Sequence, residues 1–539
     1  MSRRILISFC LLAIPTLLCA QSSPAGFVIS GKTANIVTGQ LLPGTEVFLY
    51  KTNPADAEYI DPAPQRILTG EDGRFTFHVS QPGKYLLAGQ RNGFKRQGYE
   101  QHGFYFSAAV VGPGKDSGNL VFRLSPDSRI AGTIVAEDHE PVAGALVYLF
   151  RTDASGGLRK TYLLGQTSTD DRGHYHFPHL AWGWYSLVVM AEPWWSSLAR
   201  GQGYTTNQYK QDAAFNLIYS TVFYPGVTDP ASASQIALTE GQDFTADFTL
   251  APTASPTLRL LHFNKDPGLM RRAILKQKLF GAEIEIPMQR QIAVDDSVEI
   301  SGVPPTQYIL EVDSFRPGSV SRAVTLDLTS DTEFDVDGTP SLSPIKGTIL
   351  VTAEHSLPVQ ASIRLWNSRT GELLESAIGP KGEFSLDAHS ATPGSYSVFV
   401  GNIENSLIEK ITAVGARVVG QTVEIRGAKP VQLNITLSHG WSTINGTAMH
   451  DGKPMAGAMI LLVPDDPEIN LPLFRRDQSD SDGTFTLRNV LPGRYRALAL
   501  DNAWDAEWAN PALLKGRLDH VQSVDVQPNR IYNSVINVE

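Results

Sequence analysis

The chain has 539 residues, 42% of them hydrophobic and 19% charged, with 45 Lys+Arg against 55 Asp+Glu. That length exceeds one ordinary core and calls for several domains, and the apolar share indicates a globular chain rather than a disordered one. A formal net charge of −10 argues against nucleic acid, whose phosphates demand a basic face.

Residues 1–20 read as an export leader. "MSRR" is basic, "ILISFCLLAIPTLL" is apolar, and "LCA" precedes Gln21 with a plausible cleavage site after Ala20. The apolar run is short for a membrane span, and Leu18 before Cys19 is a poor lipidation signal. Both cysteines, Cys10 and Cys19, lie in the leader, so the mature chain is expected to have no thiol, disulfide or cysteine metal ligand. Losing Arg3 and Arg4 takes its charge to about −12. No later apolar stretch is long enough to span a bilayer. The expected product is soluble and exported, periplasmic or extracellular, with no cofactor.

A repeat runs through the rest. "EDGRFTFHVSQPGKY" (71–85), "DRGHYHFPHLAWGWY" (171–185), "KGEFSLDAHSATPGSY" (381–396) and "SDGTFTLRNVLPGRY" (481–495) share one phrase, and "VDDSVEISGVPPTQY" (294–308) is a worn copy. From Gly73, Gly173 and Gly483 a second glycine follows after ten residues and a tyrosine after twelve. Upstream lie "ISGKTANIVTGQLLPGTEVFLY", "IAGTIVAEDHEPVAGALVYLF", "IKGTILVTAEHSLPVQASIRLW" and "INGTAMHDGKPMAGAMILLV". The glycine after the acidic or basic residue supplies the positive φ of a tight hairpin turn. Phe75, Phe77 and Val79 alternate with Thr76 and His78, which gives a strand with one buried face. The recurrent Tyr85, Tyr185, Tyr396 and Tyr495 are expected to be tyrosine corners, serving the fold.

The pattern predicts an all-β protein: a tandem array of immunoglobulin-like or transthyretin-like sandwiches. The units are placed at 24–126, 127–252, 253–341 (degenerate), 342–440 and 441–539. Short connections such as "LSPDS" and "TPSLSP" are expected to leave them as beads with limited hinge freedom.

These phrases resemble the carboxypeptidase regulatory-like domain, a small transthyretin-like sandwich close to the B-type modules of pilin stalks and adhesins and to starch-binding-like domains. The resemblance is strong for units one, two, four and five and weak for unit three. It implies a fold and an export route, not a reaction, since that domain is an accessory to the peptidase rather than its catalytic part.

No catalytic constellation accompanies it. None of the twelve histidines is followed by Glu three positions later, and H-E-x-x-H, G-x-S-x-G and a Walker loop are all missing. The chain is therefore expected not to be an enzyme. A Lys–Asn cross-link of the B-type kind lacks its three parts within any one unit.

Unit two is the most decorated. His174 and His176 occupy outward slots on one strand, with His179 nearby, so the three form a speculative metal site. Solvated surface histidines are the competing reading. Trp182 and Trp184 take slots that should be exposed. An aromatic insertion follows at 191–228, with Trp194, Trp195, Tyr204 and Tyr209 among Gln, Asn and Thr. Aromatic faces flanked by amides and hydroxyls suit sugar rings, a protein partner, or a loop folded onto its own sandwich. The speculative partner is therefore a polysaccharide or an envelope protein. Asp477, Asp480 and Asp482 in "DQSDSDG" read as a hairpin turn rather than a calcium loop, and Trp504 and Trp508 as one packed face of a short helix.

The functional expectation is a non-catalytic binding or scaffold protein. A structural spacer, or the accessory chain of an envelope peptidase, is the alternative.

Overall fold

A computed structural model describes residues 26–53, 56–60, 64–198, 216–265, 271–314, 322–336, 345–351, 360–367, 373–386, 394–403, 406–426, 429–468, 470–521 and 523–539. Its elements are nearly all strands, and no helix among them is long and apolar enough to cross a membrane. The leader lies outside the described residues.

One sheet motif recurs five times. In unit one, strand Phe27–Asn35 pairs antiparallel with Arg74–Val79 and parallel with Ser117–Leu124. Ser128–Ala136 does the same with His174–Leu180 on one side and Asp243–Thr245 and Phe248–Leu250 on the other. Leu258–Leu261 lies between Ser297–Ser301 and Thr332–Asp335, and Ile345–Val351 between Glu383–Ser385 and Val431–His439. In unit five Ser442–His450 lies between Thr484–Val490 and Ile531–Asn537. Facing each is a second sheet built on the strand before the turn phrase and the strand that carries the tyrosine, as in Glu46–Asn53 with Gly83–Gln90.

This geometry explains the glycine of "ISG", "IAG", "IKG" and "ING". A Cβ on Gly132 would stand 1.9 Å from the Ala246 carbonyl oxygen of the parallel strand, and one on Gly31 2.3 Å from that of Leu120. The antiparallel neighbour is always aromatic: Gly31 faces Phe75, Gly132 Tyr175, Gly347 Phe384 and Gly446 Phe485. The ring covers the bare backbone that glycine leaves. Unit three has neither partner, since Leu260 faces Val298 there. The worn phrase therefore lost both halves of one contact.

The tyrosines close the turn. The hydroxyls of Tyr85, Tyr185 and Tyr308 donate to the carbonyls of Gln81, Ala181 and Pro304 at 2.8, 2.7 and 2.6 Å. Tyr495 is equally buried, but its hydroxyl has no hydrogen-bond partner among the described residues.

Units one, two, three and five do not behave as beads, while the "TPSLSP" connection lies outside the described residues. Tyr148, Phe150, Val188, Met190, Ile218 and Phe223 of unit two share one core with Leu275, Leu279, Ile300 and Tyr308 of unit three. Phe280 meets Phe150 and Phe223 at 5.3 and 5.6 Å, both edge to face. The other face of the same unit-two sheet, with Val147, Leu149, Tyr185, Leu187 and Val189, fills that unit's own core. Hence "LVYLF" and "LVVM" are continuous apolar runs: both faces are covered. The "LSPDS" connection is pinned as well. Lys95 N–H donates to Ser125 O and Asp127 N–H to Gly93 O, each at 3.0 Å, and the Ser128 hydroxyl reaches Thr239 O at 2.8 Å.

Unit five repeats the two-faced arrangement. Ile460, Leu462 and Ala499 face its sandwich core, while Met459, Leu461, Val463, Leu498 and Leu500 face a second cluster closed by Trp508, Ala509 and Leu514. The unit then folds back on units one and two. Among the described residues, the unit-four core runs from Ile345 to Leu437.

Candidate functional site

The histidine stretch orients as the repeat requires, with Tyr175 and Phe177 buried and His174 and His176 exposed. His179 does not join them. Phe177 faces Ile130 but Leu180 faces Ser128, so a bulge at Pro178–His179 places one extra residue and turns the side chain away. His179 adopts φ +56°, the left-handed slot that Asn489, at φ +55°, fills in unit five. Its Nδ1 lies 2.7 Å from the Asp127 carboxylate, while His174 Nδ1 lies 3.5 Å from Asp170. Asp170 itself is held below the ordinary carboxylate range, chiefly by the His174 backbone N–H. Among the described residues no group of three His, Cys, Asp or Glu is placed to hold a metal ion, so the three-histidine ligand set is not assembled.

The tryptophans form two separate groups. Trp182 and Trp184 are 42% and 45% exposed at the start of strand Gly183–Met190, and Trp194 is 62% exposed in the short helix beyond its end. Six residues of strand, about 20 Å, separate Trp184 from Met190. Trp194 and Trp195 meet edge to face at 5.8 Å. Tyr204 and Tyr209 lie outside the described residues. The insertion resumes among the described residues at Asn216, and its aromatic residues there are packed. Tyr219 and Phe223 are buried, and Tyr224 lies edge to face on Phe244 and Phe248. Buried Ser196 bonds Leu217 O at 2.9 Å and accepts from Arg290 of unit three at 3.2 Å. The insertion thus brackets the joint between units two and three.

Trp184 has distinctive neighbours. It faces Thr152 on one side and Ala237 on the other, and Thr152 faces Thr161. Directly opposed residues share a sheet face, so Thr161, Thr152, Trp184 and Ala237 form one row across four strands, about 14 Å wide. The hydroxyls of Thr152 and Thr161 are 2.7 Å apart, and exposed Gln235 donates to Thr152 Oγ1 at 2.8 Å. In the adjacent row Leu163 is 38% exposed. The result is a shelf with an exposed indole, the half-buried Thr161 hydroxyl and the Gln235 amide, laid over the buried Thr152.

A second site lies where units one, two and five meet, and only its parts were visible in the sequence. The "DQSDSDG" turn lies along the edge of unit one. Ala108 N–H donates to Asp480 Oδ1 at 2.8 Å, Ser481 N–H to Ala108 O at 2.9 Å, and Val110 N–H to Ser481 Oγ at 2.8 Å. Ser107 Oγ donates to Ser479 O at 2.7 Å, and Gln478 Nε2 to Glu100 O at 2.6 Å. Lys84 pairs with Asp480, and Lys115 with Asp482 at 2.6 Å. Burial pushes Asp480 up, against the pull of Lys84. In Asp482 burial also raises the pKa, but the Lys115 ammonium and Thr484 outweigh it and hold the group below its ordinary value. Asp477, behind them, is pushed up to about 6 by burial.

Next to this edge, Trp504 stacks on His102, and the Arg476 guanidinium lies 4.7 Å from the ring centre of Tyr105 and 4.4 Å from that of Trp508. Arg476 also donates to Ser155 O of unit two at 3.1 Å. Gly157 sits against Trp508, its carbonyl accepting from Ala509 N–H at 3.0 Å. The two tryptophans expected on one face of a short helix lie instead in turns before the helix Pro511–Leu514, and they join three units. The docking leaves an open groove of about 530 Å³ between Lys84 and Lys115 and a row of Asn445, Thr447, Thr484 and Asn533.

No protein-family model matches the chain, and no curated protein matches it. Among solved structures, the chain is similar to the Bacillus anthracis TIE protein, at 11% identity over 95% of this chain and 74% of that one, with a TM-score of 0.17. A Streptococcal ancillary pilin matches at 12% identity over 52% of this chain and 98% of its own, TM-score 0.17. The minor pilin GBS52 of Streptococcus agalactiae matches at 12% identity over 43% and 98%, TM-score 0.21. The fold defines the class: a multi-unit all-β-sandwich protein.

Proposed function

We propose that this chain is an exported, non-catalytic scaffold that binds polysaccharide on the unit-two shelf around Trp184. The repeat phrases support membership of the carboxypeptidase regulatory-like type of sandwich, and the leader-like residues 1–20 support export. The observation that carries the reading is the Thr161–Thr152–Trp184–Ala237 row, with Gln235 at its edge. An indole offers a flat apolar face for the C–H side of a pyranose, and the Thr161 hydroxyl and Gln235 amide match its polar rim. The shelf sits on a sheet covered on both faces elsewhere, so its geometry is set before any ligand arrives. The docking of units one, two and five gives that shelf a rigid base.

The test is binding of the full chain to a panel of neutral and acidic polysaccharides, with Trp184→Ala, Trp182→Ala and Trp194→Ala in parallel. Affinity is expected to fall at least tenfold in Trp184→Ala and to hold in Trp194→Ala. Equal affinity in all three variants, or no binding by the parent chain, rejects the shelf.

A further inference from the structure

We propose that the groove between units one and five, walled by Lys84 and Lys115, binds an acidic polysaccharide. This site is separate from the unit-two shelf and does not rest on it. The groove encloses about 530 Å³, and its floor is the outer face of the first unit-five sheet. Thr486 faces Asn445 and Asn445 faces Asn533, while Thr484 faces Thr447 and Thr447 faces Val535. These are two rows across three strands, about 7 Å apart along the strand direction. Five of the six residues carry an amide or a hydroxyl. Thr486 Oγ1 donates to Asn445 Oδ1 at 3.1 Å, which orients that amide. The side chains of Thr447 and Asn533 have no hydrogen-bond partner among the described residues, so both are available to a ligand.

The wall supplies the charge. Lys84 pairs with Asp480, and Lys115 with Asp482 at 2.6 Å. The two carboxylates lie behind the wall, 11% and 14% exposed, whereas the lysines are 40% and 47% exposed. An ammonium carries three donors, and its carboxylate occupies one, so each pair holds further N–H groups in place at the groove. Among the described residues that line it, two are lysines and none is acidic, on a chain with 55 acidic against 45 basic residues. Charge complementarity therefore selects an anion, and the floor selects one rich in hydroxyls. The one ring in the lining, Phe485, is buried beneath the floor, so a neutral sugar finds no stacking platform here. A sugar chain with a carboxylate or a sulfate on its rings meets both requirements.

The experiment titrates the full chain with an oligogalacturonide and a sulfated dextran oligomer, which separate the two sources of charge. The methyl ester of the first and plain dextran are neutral controls, and polyglutamate is the acidic peptide control. At least one acidic sugar is expected to bind, at least tenfold more tightly than all three controls, and to weaken as salt screens the ammonium groups. Lys115→Gln should lower that affinity at least tenfold, and Thr447→Val with Asn533→Ala about tenfold. Trp184→Ala should leave it unchanged, so this site and the shelf are read by different variants. The floor pair makes no hydrogen bond to unit one, so its loss of affinity is not a loss of docking. Unchanged affinity in the floor variant overturns the proposal even where Lys115→Gln weakens binding. Binding of neither acidic sugar, equal binding of the neutral controls, or tighter binding of polyglutamate overturns it as well.

Discussion

The indole of Trp504 lies parallel to the imidazole of His102, with ring centres 4.8 Å apart and planes inclined by 6°. One ring belongs to the last sandwich and the other to the first. Trp504 Nε1 also donates to Gly457 O at 3.2 Å, which fixes the indole to its own unit while its face covers unit one. Trp504→Ala removes the stack and opens a gap beside Arg476 and Tyr105, which also line that ring. The expected cost to docking is about 2–3 kcal/mol. Limited proteolysis and small-angle scattering should report a more extended chain, while the far-ultraviolet circular dichroism stays that of an all-β protein.

Asp477 gives a pH signature. Its folded pKa is raised to about 6 from an ordinary 3.8, with burial the main cause and the Thr486 N–H opposing it. A raised carboxyl pKa means that the native state holds a proton which the unfolded state has released between about pH 4 and 6. Stability from this group therefore falls as pH rises through that window and stays low above it. Two units correspond to about 3 kcal/mol. Asp477→Asn keeps an acceptor for Thr486 N–H and removes the buried charge. The variant should be about 2–3 kcal/mol more stable than the parent at pH 7.5 and equal to it near pH 4, as read from paired denaturant curves. An unchanged difference across that range would reject the assignment.

The joint between units two and three should make them unfold together. Phe280→Ala deletes the ring that fills the angle between Phe150 and Phe223. A loss of about 3 kcal/mol is expected. The diagnostic is cooperativity: calorimetry should show one transition for units two and three in the parent and two in the variant.

Glycine at the hairpin turn is required by both backbone and space. Gly173 has φ +76°, and a Cβ there would stand 2.4 Å from Ile134 O. Gly39, with φ +69°, has open space around the same position. Gly39→Ala should cost only the left-handed strain, about 1 kcal/mol. Gly173→Ala adds a backbone collision and should cost at least about 3 kcal/mol, measured by the same denaturant titration.

The fold was legible because a repeat exposes its own rules. Five copies of one phrase locate the turns, the inward residues and the tyrosines, and the Gly–aromatic pairing even accounts for the worn third copy. The arrangement of the units was less legible, although a signal was present. "LVYLF", "LVVM" and "MILLVP" do not alternate, and a strand without alternation is covered on both faces. Which element covers the second face is a long-range matter that no local pattern encodes. The same holds for "DQSDSDG", where Asp480 and Asp482 look like turn residues until Lys84 and Lys115 are brought against them. Trp184 was legible as exposed from its slot in the repeat, but its Thr152 and Thr161 neighbours come from register, which the sequence of one strand does not contain.

His179 shows how a motif misleads when a bulge intervenes. Counted along the strand, it is a third ligand beside His174 and His176. In space it fills a left-handed slot and pairs with Asp127. The slot favours residues that tolerate positive φ, and Asn489 stands at the equivalent place in unit five. His179→Asn should therefore hold stability within about 1 kcal/mol, because Asn keeps the left-handed slot while the lost pair is exposed on the His179 side and half-buried on the Asp127 side. His179→Val places a β-branched side chain at φ +56° and should cost about 2 kcal/mol. Zinc titration followed by calorimetry separates this role from ligation. A fold role predicts that parent and His179→Asn take up zinc alike. A tenfold loss of zinc affinity in His179→Asn, with stability unchanged, would restore the ligand reading against the geometry of the bulge.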